Sequence, residues 1–208
     1  MRQETLPASR LARPGAAFLY VLTVVVVGAG AVRALARAHG DRMHGATGRA
    51  EWIWYTQGMP QPAPLRFFAT RTFVLPEKPG RALAKLFVDR EHVLWVNGER
   101  AGAGGQRPGD PLALYEIAPR LREGENRVTV EAASPTGVGG ILFTIDIQGL
   151  GRNALVTDGQ WRVDPSRDAI TVPGRYRPVV WGRPPQYPWA YPRMPRPEEV
   201  EREGRGAR

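Results

Sequence analysis

From Phe68 to Trp161, apolar and polar residues alternate in short runs that are interrupted by turn formers, a period of two rather than of 3.6. The pattern predicts strands. RALAKLFVD places Ala82, Ala84, Leu86 and Val88 on one face and Leu83, Lys85 and Phe87 on the other, as a half-buried strand requires. Next, Val93 and Trp95 alternate into Asn97 and Gly98, the pair that accepts the positive φ angles of a type I′ turn. A tight hairpin is expected, with Glu99 to Gly102 returning. The Gly-rich text from Ala101 to Pro111 then reads as a flexible loop before LALYEI.

Further along, LREGENRVTVEAAS predicts a turn at Glu123 to Glu125 and a strand carrying Val128 and Val130. GGILFTIDIQG is apolar enough for the centre of a sandwich, and TDGQWRV and DAITV supply two more strands. Upstream, Trp52 and Trp54 should share one face of an edge strand. GMPQPAPL forms a Pro-rich loop, and FFATRTFVL a strand ending at the Pro76 turn. Seven or eight short strands without a long helical stretch favour an antiparallel sandwich. The 24 Gly and 20 Pro suit the many turns such a fold needs.

The N-terminus breaks this pattern. AAFLYVLTVVVVGAGAV, residues 16–32, has no charge and follows Arg2, Arg10 and Arg13. Seventeen helical residues cover about 25 Å, the short end of a bilayer core, and Arg33 can snorkel to extend the span. A transmembrane signal anchor over 16–36 is expected, after a short tail at 1–15. The competing reading is a cleaved signal peptide, with Ala36 and Ala38 forming a small-x-small site before His39. Arg on both sides leaves orientation open. Residues 37–50 read as a juxtamembrane linker, where His39 and His44 are solvated spacers rather than metal ligands. Residues 51–192 form the domain and 193–208 a disordered polar tail.

The net charge of +9 suggests nucleic acid until its distribution is read. Residues 1–50 carry seven Arg against Glu4 and Asp41, and residues 173–208 carry eight Arg against four Glu. The stretch between holds fourteen basic and fourteen acidic side chains. The domain is neutral, so a nucleic-acid face is not expected. The absence of Cys excludes disulfides, thiolate metal sites and Cys nucleophiles.

Catalytic patterns are missing as well. Ser134 and Ser166 sit beside Pro, no GxSxG elbow occurs, and His92 reads as a strand residue at the base of the hairpin. Acidic pairs such as Asp89 with Glu91 and Glu123 with Glu125 bracket turns, where carboxylates are ordinarily solvated. No cofactor is expected. Structural calcium is a minor alternative, using Asp146 with a loop carboxylate such as Asp158. Beyond Pro173 the run RPVVWGRPPQYPWAYPRMPRP cannot form a regular internal strand, because Pro lacks the donor. Its aromatics can instead lie across the sandwich.

AEWIW, ALAKLFVD, VLWVNGERAG, LYEIAPRLREGENRVTVEA, GGILFTIDI, TDGQWRV and PWAYP, in this order over about 140 positions, resemble a known module. It is the galactose-binding-like jelly roll found beside catalytic domains in bacterial α-L-rhamnosidases and in the sugar-binding domains of related β-glycosidases. The resemblance implies an all-β antiparallel jelly-roll β-sandwich, here behind one transmembrane helix. It also implies an accessory role, binding carbohydrate at loops or packing against a partner, with the domain periplasmic or extracellular. Sugar sites combine an aromatic platform with groups that bond hydroxyls. Arg107 and Asp110 in the Gly-rich loop, with Trp181, Tyr187 and Trp189 in the tail, are the candidates. The alternatives are aromatics that clamp the sandwich and a purely structural module that docks to a cell-envelope protein. A cryptic glycoside hydrolase is a third.

Overall fold

The computed structural model describes residues 46–56 and 61–199. The apolar segment 16–36, His39, His44 and the last nine residues of the tail lie outside that range. No helix among the described residues is long and apolar enough to cross a membrane.

Eleven strands are present among the described residues: β1 (Trp52–Trp54), β2 (Leu65–Leu75), β3 (Ala82–Val88), β4 (Arg90–Val96), β5 (Glu99–Gln106), β6 (Ala113–Glu116), β7 (Gly124–Ser134), β8 (Ile141–Ile147), β9 (Gly151–Val156), β10 (Arg162–Asp164) and β11 (Val179–Gly182). They form two antiparallel sheets. One has the order β11-β1-β8-β3-β6 with β9 paired to β8, and the other has the order β10-β2-β7-β4-β5. The longest pairing runs from Leu65 opposite Ser134 to Leu75 opposite Gly124. Inward positions of the two sheets interdigitate, as in any face-to-face sandwich. Phe67, Ala69, Leu94, Val96, Val128 and Val130 meet Ala84, Leu86, Val88, Phe143 and Ile145 in one core. Trp161 from TDGQW closes it, edge-on to Phe143 at 5.4 Å and donating its indole N–H to the Val156 carbonyl.

Asn97 and Gly98 take positive φ angles of 51° and 84°, and the hairpin turns where expected. Asn97 adds more than a turn. Its side chain donates to the Arg120 carbonyl and accepts from the Arg127 N–H, which ties the tip to β7.

The returning strand is longer than the sequence suggests. β5 continues through the Gly-rich text to Gln106, because its glycines admit a neighbour rather than loosen the chain. A Cβ at Gly102 would lie 2.1 Å from the Tyr115 ring, so only glycine lets β6 pack this close. Gln106 then bridges the sheets, accepting from the Val88 N–H and donating to the Leu86 carbonyl.

β3 is buried on both faces, not half-buried. Its second face is covered by a separate cluster of Ala50, Trp52, Phe87, Leu112, Leu142, Val156 and Trp189, drawn from both ends of the chain. Lys85 lies on that face, and its ammonium is held by Asp146 at 2.8 Å and Asn153 at 3.0 Å. Asp146 also accepts the Asn153 N–H, so its carboxylate is committed to this network. Among the described residues no group of His, Asp or Glu is arranged to hold a metal ion.

β1 is not an edge strand, since β11 pairs beyond it. The pairing register slips between Trp52 and Ile53, and the alternation slips with it. Trp52 turns to the outer cluster while Trp54 enters the main core against Phe67. DAITV is not a strand either. Ser166 caps a 3₁₀ turn, Arg167–Ile170, by accepting the Asp168 N–H, and Ala169 and Ile170 pack on Phe68.

Both domain boundaries shift outward. Residues 46–50, expected in the linker, form a turn with Thr47 and Ala50 buried. At the other end Arg193 accepts the Leu112 N–H through its carbonyl and binds Glu199 through both guanidinium nitrogens at 2.8 Å. The first part of the expected disordered tail is therefore packed on the sandwich.

Candidate functional site

The outer face of the five-stranded sheet carries a groove with a cavity of about 250 Å³, lined by Arg66, Glu91, Val93, Ala103, Glu131 and Ala133. Register builds it. Glu131 on β7 lies directly opposite Phe68 on β2 and Val93 on β4. Its diagonal neighbours are therefore Arg66 on one side and Trp95 on the other, within reach of long side chains. Both reach it: Arg66 donates Nη1 to Oε1 in an ion pair, and Trp95 donates Nε1 to Oε2 at 3.3 Å. Glu131 is thus a nearly buried carboxylate fixed from two sides, its side chain only 12% exposed.

Trp95 is half-buried, with one flank against the Phe68–Ala169–Ile170 cluster. The Arg167 guanidinium lies 5.9 Å from its ring centroid. Ala103 and Ala133 leave the groove floor low, because neither carries a side chain beyond Cβ. Arg66, Glu91 and Glu131 make the lining polar, and the Arg167 guanidinium lies outside it, over Trp95. Such a site suits a neutral ligand rich in hydroxyls, with donors and acceptors both on offer.

His92 closes the inner margin of the cavity. Its strand position points it inward, where Nε2 meets the Tyr115 hydroxyl at 2.7 Å and Nδ1 has no partner. Burial pushes its pKa down to about 4, so the ring is neutral at physiological pH.

The residues singled out in the sequence lie elsewhere, in the β5–β6 loop, on the edge strand β11 and in the tail that follows it. Arg107 and Asp110 form a closed turn, in which the Asp110 carboxylate accepts the Arg107 N–H at 2.8 Å. Leu112, just beyond, joins the tail through Arg193 and through the cluster that contains Trp189. Loop and tail do come together. However, Trp189 is a clamp: it stacks on Trp52 at 4.6 Å and donates its indole N–H to Asp89. Trp181 is half-buried with its indole N–H unpartnered, and Tyr187 is 93% exposed.

Arg66, Trp95 and Glu131 escaped the sequence reading. Each sits at an outward position of its own strand, and only the pairing register makes them neighbours.

No family model matches the sequence, and no curated protein matches it. Solved structures match the fold. The α-L-rhamnosidase of Streptomyces avermitilis, complexed with L-rhamnose, superposes with a TM-score of 0.57 at 19% identity, over 69% of this chain and 16% of that one. The GH78 family rhamnosidase of Bacillus sp. GL1 gives 0.60 at 22% identity, over 70% and 19%. A lectin from Pleurotus ostreatus in complex with GalNAc gives 0.58 at 19%, over 72% and 48%. The described domain shares the β-sandwich fold of the matched part of each of these proteins. It spans less than a fifth of each of these two rhamnosidases and about half of the lectin.

Proposed function

We propose that this chain is a non-catalytic, membrane-anchored carbohydrate-binding module whose sugar lies in the groove beside Glu131, Arg66 and Trp95. The observation that carries the proposal is the carboxylate held between a guanidinium and an indole, next to space for a single sugar ring. An indole face stacks on the apolar face of a pyranose, while a carboxylate and a guanidinium bond adjacent hydroxyls. The fold supports the reading, because the structurally similar lectin was solved with GalNAc and one similar rhamnosidase with L-rhamnose. The apolar run at 16–32 supports attachment through 16–36, and the periplasmic or extracellular side is part of the proposal through the fold resemblance, since Arg flanks the run on both sides.

The test is a glycan array probed with the full chain in detergent. Wild type should retain a subset of neutral glycans, and Trp95→Ala and Glu131→Ala should each lose them. A folded chain that retains none refutes sugar binding. For topology, a reporter fused after Arg208 should work only outside the cytoplasm, and activity confined to the cytoplasm refutes the assigned side.

A docking role for an envelope protein is the second reading. What favours it is the exposure of Tyr187 above the clamped Trp189.

A further inference from the structure

Large apolar side chains are exposed unevenly over the described residues. Of the nine that stand out, six lie after residue 171: Val172 and Tyr176 beside β10 and the 3₁₀ turn, Val180 on β11, and Tyr187, Tyr191 and Met194 in the strap whose Trp189 packs on the six-stranded sheet. The same part of the chain holds most of the excess charge on this side of the chain, with eight Arg against four Glu over 173–208. Some of that charge is neutralised locally. Arg175 is bound to Asp164, which accepts both Nε at 2.7 Å and Nη2, and Arg193 is bound to Glu199. Arg177 is exposed and makes no ion pair among the described residues, Arg196 is exposed and bonds Glu199 through its backbone N–H only, and Arg183 pairs with Glu51 at the long distance of 4.0 Å.

The strap is also held firmly from beneath. Trp189 is buried against Trp52, so the positions two residues to either side, Tyr187 and Tyr191, are exposed. Tyrosine and methionine exposed among arginines are the composition of a surface that sits at the headgroup level of a bilayer. A neutral carbohydrate would use the tyrosines but leaves the exposed arginines without a purpose. A protein partner would bury the arginines at a desolvation cost that a fluid anionic surface does not impose.

We infer that this strap is a peripheral contact for an anionic phospholipid surface. Arg177, Arg183 and Arg196 meet headgroup phosphates, and Tyr187, Tyr191 and Met194 settle among the headgroups. The contact orients the domain so that its opposite face, with the groove, is turned away from the bilayer. It rests on the membrane attachment proposed above, and does not depend on what the groove binds.

The experiment places the full chain in nanodiscs of pure phosphatidylcholine and in nanodiscs containing phosphatidylglycerol, and follows amide hydrogen exchange over residues 183–196. Exchange should be slower in the anionic discs, and the difference should shrink as salt is raised. Each arginine near an anionic surface favours contact by about fivefold, so the triple variant R177Q/R183Q/R196Q should lose up to about a hundredfold of that protection. Y187S/M194S should lose less. Equal exchange in the two kinds of disc overturns the proposal, as does protection insensitive to both salt and the triple variant. So does protection that appears only on addition of an envelope protein extract. A chain that fails to enter even neutral discs refutes the membrane attachment instead, which separates the two failures.

Discussion

The two outer faces of the sandwich have been put to opposite uses. On the six-stranded sheet, Trp52, Phe87, Leu142, Leu112 and Trp189 form a second core beneath segments from both chain ends. On the five-stranded sheet the corresponding surface keeps Arg66, Glu91, Trp95 and Glu131, and the 3₁₀ turn Arg167–Ile170 with the chain through Gly174 covers the other part of it. A sheet covered on both sides has no outer surface left to offer a ligand. The side that forgoes a cover therefore keeps the polar groups, and the covered side supplies stability.

That contrast can be broken most forcefully on the covered side. Trp189→Ala removes the clamp and its bond to Asp89, and should destabilise the fold by about 3–5 kcal/mol in denaturant unfolding. Tyr187→Ala, two residues away and exposed, should change stability by less than about 0.5 kcal/mol. Equal effects would mean that the strap does not pack as described. Asp146→Ala leaves the buried Lys85 ammonium without its carboxylate. A loss of about 3–5 kcal/mol is expected, much larger than for Lys85→Met, which removes the charge together with its need for a partner.

Acidification tests the boundary between the two faces at His92. Its folded pKa of about 4 lies below the ordinary 6.5, so the unfolded chain takes up a proton that the folded chain refuses. The stability is fully present above pH 6.5 and falls as the pH drops towards 4, by about 3 kcal/mol for a shift of this size. Thermal denaturation against pH should show this limb, and His92→Gln should flatten it. Asp164, held down at about 2 by Arg175, contributes a separate loss as the pH falls from 3.8 towards 2. A limb centred near pH 3 that survives in His92→Gln would point to that pair instead.

Gly102→Ala forces a Cβ into the Tyr115 ring and should cost about 1–3 kcal/mol through overpacking. If β5 were the flexible loop that its composition suggests, the substitution would be neutral or stabilising. A modest stability effect is expected in the groove. Trp95→Phe keeps the apolar flank but loses the bond to Glu131. Stability should fall by about 1 kcal/mol, with a larger proportional loss in glycan retention. The reverse proportion would assign Trp95 to the core rather than to a ligand.

Much of the sandwich was legible because β-forming runs and the turn formers between them mark out β2, β3, β7 and β8, even where, as in β3, both faces are buried. The Asn97–Gly98 hairpin was readable residue by residue, since its positive φ angles restrict what can occupy it. Composition misled at β5, where glycine signals a loop unless a neighbour demands closeness, and the neighbour, Tyr115, is remote in sequence. DAITV misled in the other direction. Its β-branched residues suit a strand, but the Ser166 cap and the pocket beside Phe68 favour a turn. The aromatic tail was correctly read as lying across the sandwich, although its side chains could not be divided into Trp189 below and Tyr187 above.

By itself the sequence determined the β class, the strand hairpin, the neutrality of the domain and the position of the apolar N-terminal run. Each depends on local pattern or on counting. Tertiary structure decided which face is covered, which arginines are already paired, and that Arg66 and Trp95 meet at Glu131 on one face. Those properties follow from register and crossing, which join Arg66 to Glu131 across 65 positions and Trp52 of β1 to Gly182 of β11 across most of the domain. No periodicity within one strand encodes the side chain opposite it.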